Sequence, residues 1–179
     1  HWASPPDLFV YEYDWRPGGQ GFVGTAAPGD GDNNWWIAKL YAFAQDDGTA
    51  RVRYAPSSVR QQITVPRVSR DGRSVAFIAG LMSDFGSIGG DVYTVPSAGG
   101  KALNVTPGIK ASATSLAWGC GGTLHAQLLV GDEGRIVDLG TGVAAVSTPT
   151  VLWSGTESLS GDDAGSSWAC PAGGLASVR

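Results

Sequence analysis

The sequence predicts an all-β fold: β-propeller blades, about three of them four-stranded and antiparallel plus the start of a fourth, and so an incomplete propeller. Three observations predict it. No window carries a sustained 3.6-residue apolar period, so no packed helix is expected. Short β-branched segments alternate with glycine-rich turns, and 27 of the 179 residues are glycine. Above all, one motif recurs about every 50 residues.

The motif is a large apolar anchor at a strand end, a tight turn, and a second apolar strand. Asp14-Trp15-Arg16-Pro17-Gly18-Gly19, Val68-Ser69-Arg70-Asp71-Gly72-Arg73 and Trp118-Gly119-Cys120-Gly121-Gly122 are its three copies, with anchors Trp15, Val68 and Trp118 spaced by 53 and 50 residues. A fourth anchor, Trp168 in Trp168-Ala169-Cys170-Pro171, follows 50 residues later, so both cysteines stand two places after an anchor tryptophan. The second halves repeat too, with Tyr41 and Tyr93 spaced by 52 residues.

In the first unit, strands are expected near 8–15, 21–26, 36–44 and 50–54. In the second they are expected at 59–68 and 73–78, joined by the Asp-Gly turn that suits antiparallel neighbours, then at 91–96 and, after Ala98-Gly99-Gly100, at 101–105. The third unit supplies 113–118, 123–130, 134–139 and 151–154. The chain 1–179 therefore reads as a partial propeller with blades at about 8–57, 58–108 and 109–157, while 158–179 starts the next. A four-stranded sheet with two apolar faces can bury neither alone, so blades must stack. An arc of blades leaves open edges and a bare face at each end, through which self-association is expected.

Composition sets outer bounds. A net charge of −4 with no Lys/Arg run argues against nucleic acid as a partner. No apolar run approaches the ~18 residues of a spanning helix, so no membrane role is expected. The amino terminus has no basic region followed by an apolar stretch, and a cytoplasmic, periplasmic or secreted protein fits equally. Cys120 and Cys170 are expected to be two separate thiols, since one pair does not make a disulfide scaffold. Asn104-Val105-Thr106 forms a glycosylation sequon, a pattern short enough to arise by chance.

The repeats resemble those of TolB-like propellers and, more closely, the amino-terminal propeller of prolyl oligopeptidase family serine peptidases. Residues 68–108, with Phe77-Ile78-Ala79-Gly80-Leu81-Met82-Ser83-Asp84-Phe85-Gly86, and the stretch Thr25-Ala26-Ala27-Pro28-Gly29-Asp30-Gly31-Asp32-Asn33-Asn34-Trp35-Trp36 carry the likeness beyond the generic repeat. Two turns, at 16–19 and 119–122, lack the family's aspartate, but their glycines supply the same turn geometry. The resemblance implies a propeller that gates an α/β-hydrolase catalytic domain, with peptides as substrate. That domain is missing from these 179 residues. No serine has glycine two places before and after it, and the histidines are His1 and His125, the latter inside an expected strand. No catalytic residue, metal or cofactor is therefore assigned to the chain. The alternative is a non-enzymatic TolB-like platform for protein contacts.

The connection between second and third strands leaves a blade at the end opposite the Asp-Gly turns. It is long in the first two units, at 27–35 and 79–90, and short in the third. Asp30, Asp32, Asn33, Trp35, Ser83, Asp84 and Phe85 are the candidates for a substrate-cavity rim on these loops. The competing reading is local turn chemistry, Asp and Asn holding backbone groups, with Trp36 starting a strand and packing within its blade. Asp30-Gly31-Asp32-Asn33-Asn34 opens like a calcium loop, but Trp35 stands where glycine is required and Tyr41 where glutamate is, so calcium is not expected.

Overall fold

The computed structural model describes residues 4–29, 31–84 and 87–157. Among them are three four-stranded antiparallel sheets, each in plain sequence order. The first holds β1 (Leu8–Trp15), β2 (Phe22–Pro28), β3 (Lys39–Phe43) and β4 (Ala50–Tyr54). The second holds β5 (Gln62–Val68), β6 (Ser74–Asp84), β7 (Ser87–Pro96) and β8 (Leu103–Asn104). The third holds β9 (Ser112–Trp118), β10 (Leu124–Val130), β11 (Glu133–Asp138) and β12 (Thr150–Gly155). These are propeller blades. Among the described residues no helix is long and apolar enough to cross a membrane.

Alternation along the strands sorts side chains onto two faces of each sheet, and the faces that meet are apolar. Val23, Leu40 and Ala42 of the first blade close on Ile63, Val68, Val75, Phe77 and Val95 of the second. Ala76, Ile78, Val92 and Val105 of the second close on Ala113, Leu116, Trp118, Leu124 and Ala126 of the third. Each large side chain buried here is worth roughly 1.5 to 3 kcal/mol, so the cores that bind the arc lie between the blades. The contacts between blades converge on the first strand of the following blade: β1 and β2 meet β5, and β5, β6 and β7 meet β9.

Each first strand carries one extra residue against its neighbour. Tyr11 is the extra residue in β1, Thr114 in β9, and in β5 the pair Val65-Pro66 opposes Phe77 alone. Pro66 is tolerated because a bulge asks no ladder bond of it. Val65 takes a φ of 52°, a left-handed value unusual for a β-branched residue.

The Asp-Gly turn of the second blade forms as the sequence expects. Asp71 accepts from the Ser69 hydroxyl at 2.6 Å and the Arg73 amide at 3.0 Å, and Gly72 takes the positive φ of 71° that closes the turn. The Ser69 hydroxyl bond, followed by that amide, holds the Asp71 carboxyl below its ordinary pKa.

Two expectations are corrected. The connection expected as a loop over 79–90 is largely strand: β6 and β7 continue as a ribbon to Asp84 and Ser87. Gly80 and Gly90 pair across it so closely that a Cβ on either would meet the opposing backbone. Cys120 is disulfide-bonded rather than a separate thiol. Cys170 and the expected fourth blade, 158–179, lie outside the described residues.

Candidate functional site

The residues that the sequence nominates for a rim lie on two connections that leave the same end of adjacent blades. In the first blade, a short 3-10 turn, Asp32–Ile37, lies between β2 and β3 and packs against β2 and against β5 of the next blade. Local polar bonds shape it. The Asn34 amide donates to the Pro28 carbonyl at 2.9 Å, the Trp36 indole to the Asn33 carbonyl at 2.9 Å, and the Ala38 amide to the Trp35 carbonyl at 3.1 Å. From below, the hydroxyl of Tyr11, the bulge residue of β1, donates to the Gly31 carbonyl at 3.2 Å.

Of the candidate residues, Asn33 is exposed and Trp35 half-buried, and their carbonyls take part in this turn. Asp30 and Phe85 lie outside the described residues, as do the side chains of Asp32, Ser83 and Asp84. Trp36 departs from its expected place. It sits in the 3-10 turn, 42% exposed, rather than starting β3, because the turn consumes the residues up to Ile37. With exposed Ile37, and with Leu81 on the β6–β7 ribbon, Trp36 gives this end of the arc an apolar character suited to aromatic and aliphatic contacts. Among the described residues no group of three or more His, Cys, Asp or Glu could hold a metal ion.

His125 is an inward residue of β10, mostly buried, with Nε2 at 3.3 Å from the Thr123 hydroxyl and 3.8 Å from Asp138 Oδ2.

One polar cluster was not singled out in the sequence. Glu12 of β1 points at the second blade, where its carboxylate accepts from the Thr64 hydroxyl at 2.9 Å and the Val65 amide at 3.1 Å; the Thr25 hydroxyl donates from its own sheet at 3.4 Å. Burial pushes the Glu12 pKa up, against the lowering effect of these bonds and of Arg67. The cluster clamps the strained bulge of β5. Its only signal in the sequence is an acidic residue three places before an anchor, a position whose meaning depends on the bulge.

No protein-family model and no curated protein matches the chain. Among solved structures, an oligogalacturonate lyase in complex with manganese superposes with a TM-score of 0.62 at 14% identity, covering 84% of this chain and 43% of that one. A putative TolB from Agrobacterium tumefaciens gives 0.58 at 16% identity, covering 84% and 51%. A puromycin-hydrolyzing peptidase from Mycobacterium tuberculosis gives 0.50 at 18% identity, covering 73% and 20%. The chain thus spans about half or less of the length of each of these proteins. At such identities the likeness is one of fold, and the chain is an all-β propeller arc similar to these proteins.

Proposed function

We propose that this arc is the non-catalytic, substrate-gating portion of a serine peptidase of the prolyl oligopeptidase family, lying against an α/β-hydrolase domain and admitting short peptides past its rim. One observation carries the reading. The two stretches whose sequences most resemble that family, 25–36 and 68–108, supply the two connections that leave one end of the arc, the Asp32–Ile37 turn and the β6–β7 ribbon. Asp30, Asp32, Asn33, Trp35, Ser83, Asp84 and Phe85 are the residues we assign to that rim. The peptidase among the similar folds is compatible with this reading.

The second reading is a non-enzymatic platform for protein contacts, like TolB. The bonded Cys120 favours it, because structural disulfides persist in oxidising compartments such as a periplasm.

Kinetics separate the two. In the full-length protein, Asn33→Ala combined with Trp36→Ala is expected to change kcat/KM for long peptides several-fold more than for dipeptide-sized substrates, with unchanged labelling of the active serine by a fluorophosphonate. Equal kcat/KM for both substrate sizes rejects the gating role. A full-length protein that takes no fluorophosphonate label rejects the peptidase and leaves the platform.

A further inference from the structure

We propose that the seam between the outer strands of the first and second blades, at the end of the arc opposite the rim, binds an oxyanion of the phosphate or sulfate class, held by the guanidinium groups of Arg51 and Arg53 and the hydroxyl of Ser97. The site shares no residue with the rim, and the inference holds whether or not the arc serves a peptidase.

Backbone pairing brings these donors together. Arg51 of β4 pairs with Ala42 of β3, and Ala42 packs into the core shared with the second blade, so Arg51 lies on the face turned toward that blade. Arg53 is the extra residue of a bulge, standing between the pairs Tyr41–Val52 and Leu40–Tyr54. Its guanidinium reaches the second blade, where Nη1 donates to the Ala98 carbonyl at 3.1 Å. In that blade the Ser97 amide donates to the Arg73 carbonyl at 2.8 Å and so extends the β6–β7 ladder by one pair. Ser97 thus keeps the alternation of β7 and shares the face of Val95, which packs against the first blade.

The donors gathered there are uncommitted. Ser97 is 8% exposed, and among the described residues its hydroxyl has no hydrogen-bond partner, nor does the buried Nε of Arg53. Arg16, Arg51 and Arg53 form no ion pair among the described residues. Asp47, which feels the charge of Arg51, turns its carboxylate to the Thr49 amide at 2.8 Å, and Arg73 is matched by Asp71 at 3.9 Å. Burial, and then the like charges of Arg16 and Arg51, hold the Arg53 guanidinium below its ordinary pKa. An unbonded buried hydroxyl, a partly desolvated guanidinium and converging like charges are each unfavourable, and one anion relieves all three. Entry is from solvent, past the exposed side chain of Arg51. A tetrahedral oxyanion suits the seam better than a flat carboxylate, because the donors come from two blades and it offers oxygens in several directions.

The test is isothermal titration of the full-length protein with inorganic phosphate, with chloride adjusted to hold ionic strength constant. Saturable binding with a dissociation constant of about 1 mM or lower is expected. Binding should weaken about tenfold in Arg53→Gln and in Arg51→Gln, and stay unchanged in the rim variant Asn33→Ala. Arg51 is exposed, so Arg51→Gln keeps the test decisive even if Arg53→Gln does not fold. Absence of saturation, unchanged binding in Arg51→Gln, loss of binding in Asn33→Ala, or acetate binding as tightly as phosphate would overturn the proposal. Unchanged binding in Ser97→Ala would remove Ser97 from it.

Discussion

Trp15 and Trp118 occupy the same place in the repeat, the end of a blade's first strand, yet they have opposite surroundings. Trp118 is 8% exposed; it packs with Leu116 and Leu124 into the core shared with the second blade, and its indole donates to Arg67 there. Trp15 is 60% exposed, and among the described residues its ring contacts lie within its own sheet, edge-on to Tyr13 at 5.7 Å and to Phe22 at 5.8 Å. Trp118 has a preceding blade to pack against, and among the described residues Trp15 has none. Anchor burial is thus a property of a pair of blades. A sheet supplies the geometry, and its neighbour supplies the removal from water.

The sharpest way to break this contrast is to truncate both anchors. Trp118→Ala should cost about 3 to 5 kcal/mol of unfolding free energy, as for other buried aromatics, whereas Trp15→Ala should stay within about 0.5 kcal/mol. Urea unfolding of the two variants checks it. Equal losses would mean that Trp15 is covered in solution and that the contrast is false.

A smaller effect is expected at Glu12, which ties the first blade to the second by polar rather than apolar means. Glu12→Ala leaves the Val65 amide and Thr64 hydroxyl without their acceptor and should cost about 1 to 3 kcal/mol, read from the same unfolding curves. A neutral outcome would show that the apolar contacts alone hold these two blades together.

The smallest expected effect is its pH dependence. Because burial raises the Glu12 pKa above its ordinary value of 4.5, the folded chain keeps this proton to higher pH than the unfolded chain does. Stability from this group is therefore greatest below 4.5, declines as pH climbs toward the raised native value, and stays reduced above it. Asp71, whose pKa is lowered, acts in the opposite sense: its contribution is present above its ordinary pKa and fades as pH falls through the lowered one. Following the urea midpoint from acid to neutral pH should show a decline that Glu12→Gln abolishes. A decline that survives the substitution assigns the dependence to another group.

The strands were largely legible in the sequence. β1 and β4 run over the residues expected, β9 and β10 differ by one residue at one end, and β11 and β12 by one residue at each end, because alternation and glycine punctuation are local signals. The rim was less legible. The stretch 79–90 looked like a loop, since Gly80, Gly86, Gly89 and Gly90 lower strand propensity, but in the ribbon two of those glycines let the backbones meet. Trp36 looked like a strand residue because aromatics favour strands, and the bonds of Asn33 and Asn34 instead set a 3-10 turn there.

By itself the sequence determined the repeat, the all-β class, the turn chemistry of Ser69 to Gly72, and the absence from these residues of a Gly-x-Ser-x-Gly elbow. Only the tertiary structure decided which anchor is buried, that Glu12 reaches across to Val65, that Gln127 lies inside without a partner, and that Cys120 is bonded. The physical reason is range. Periodicity and turn preference act over a few neighbouring residues, whereas the environment of a blade face is set by residues some fifty positions away, which no local pattern records.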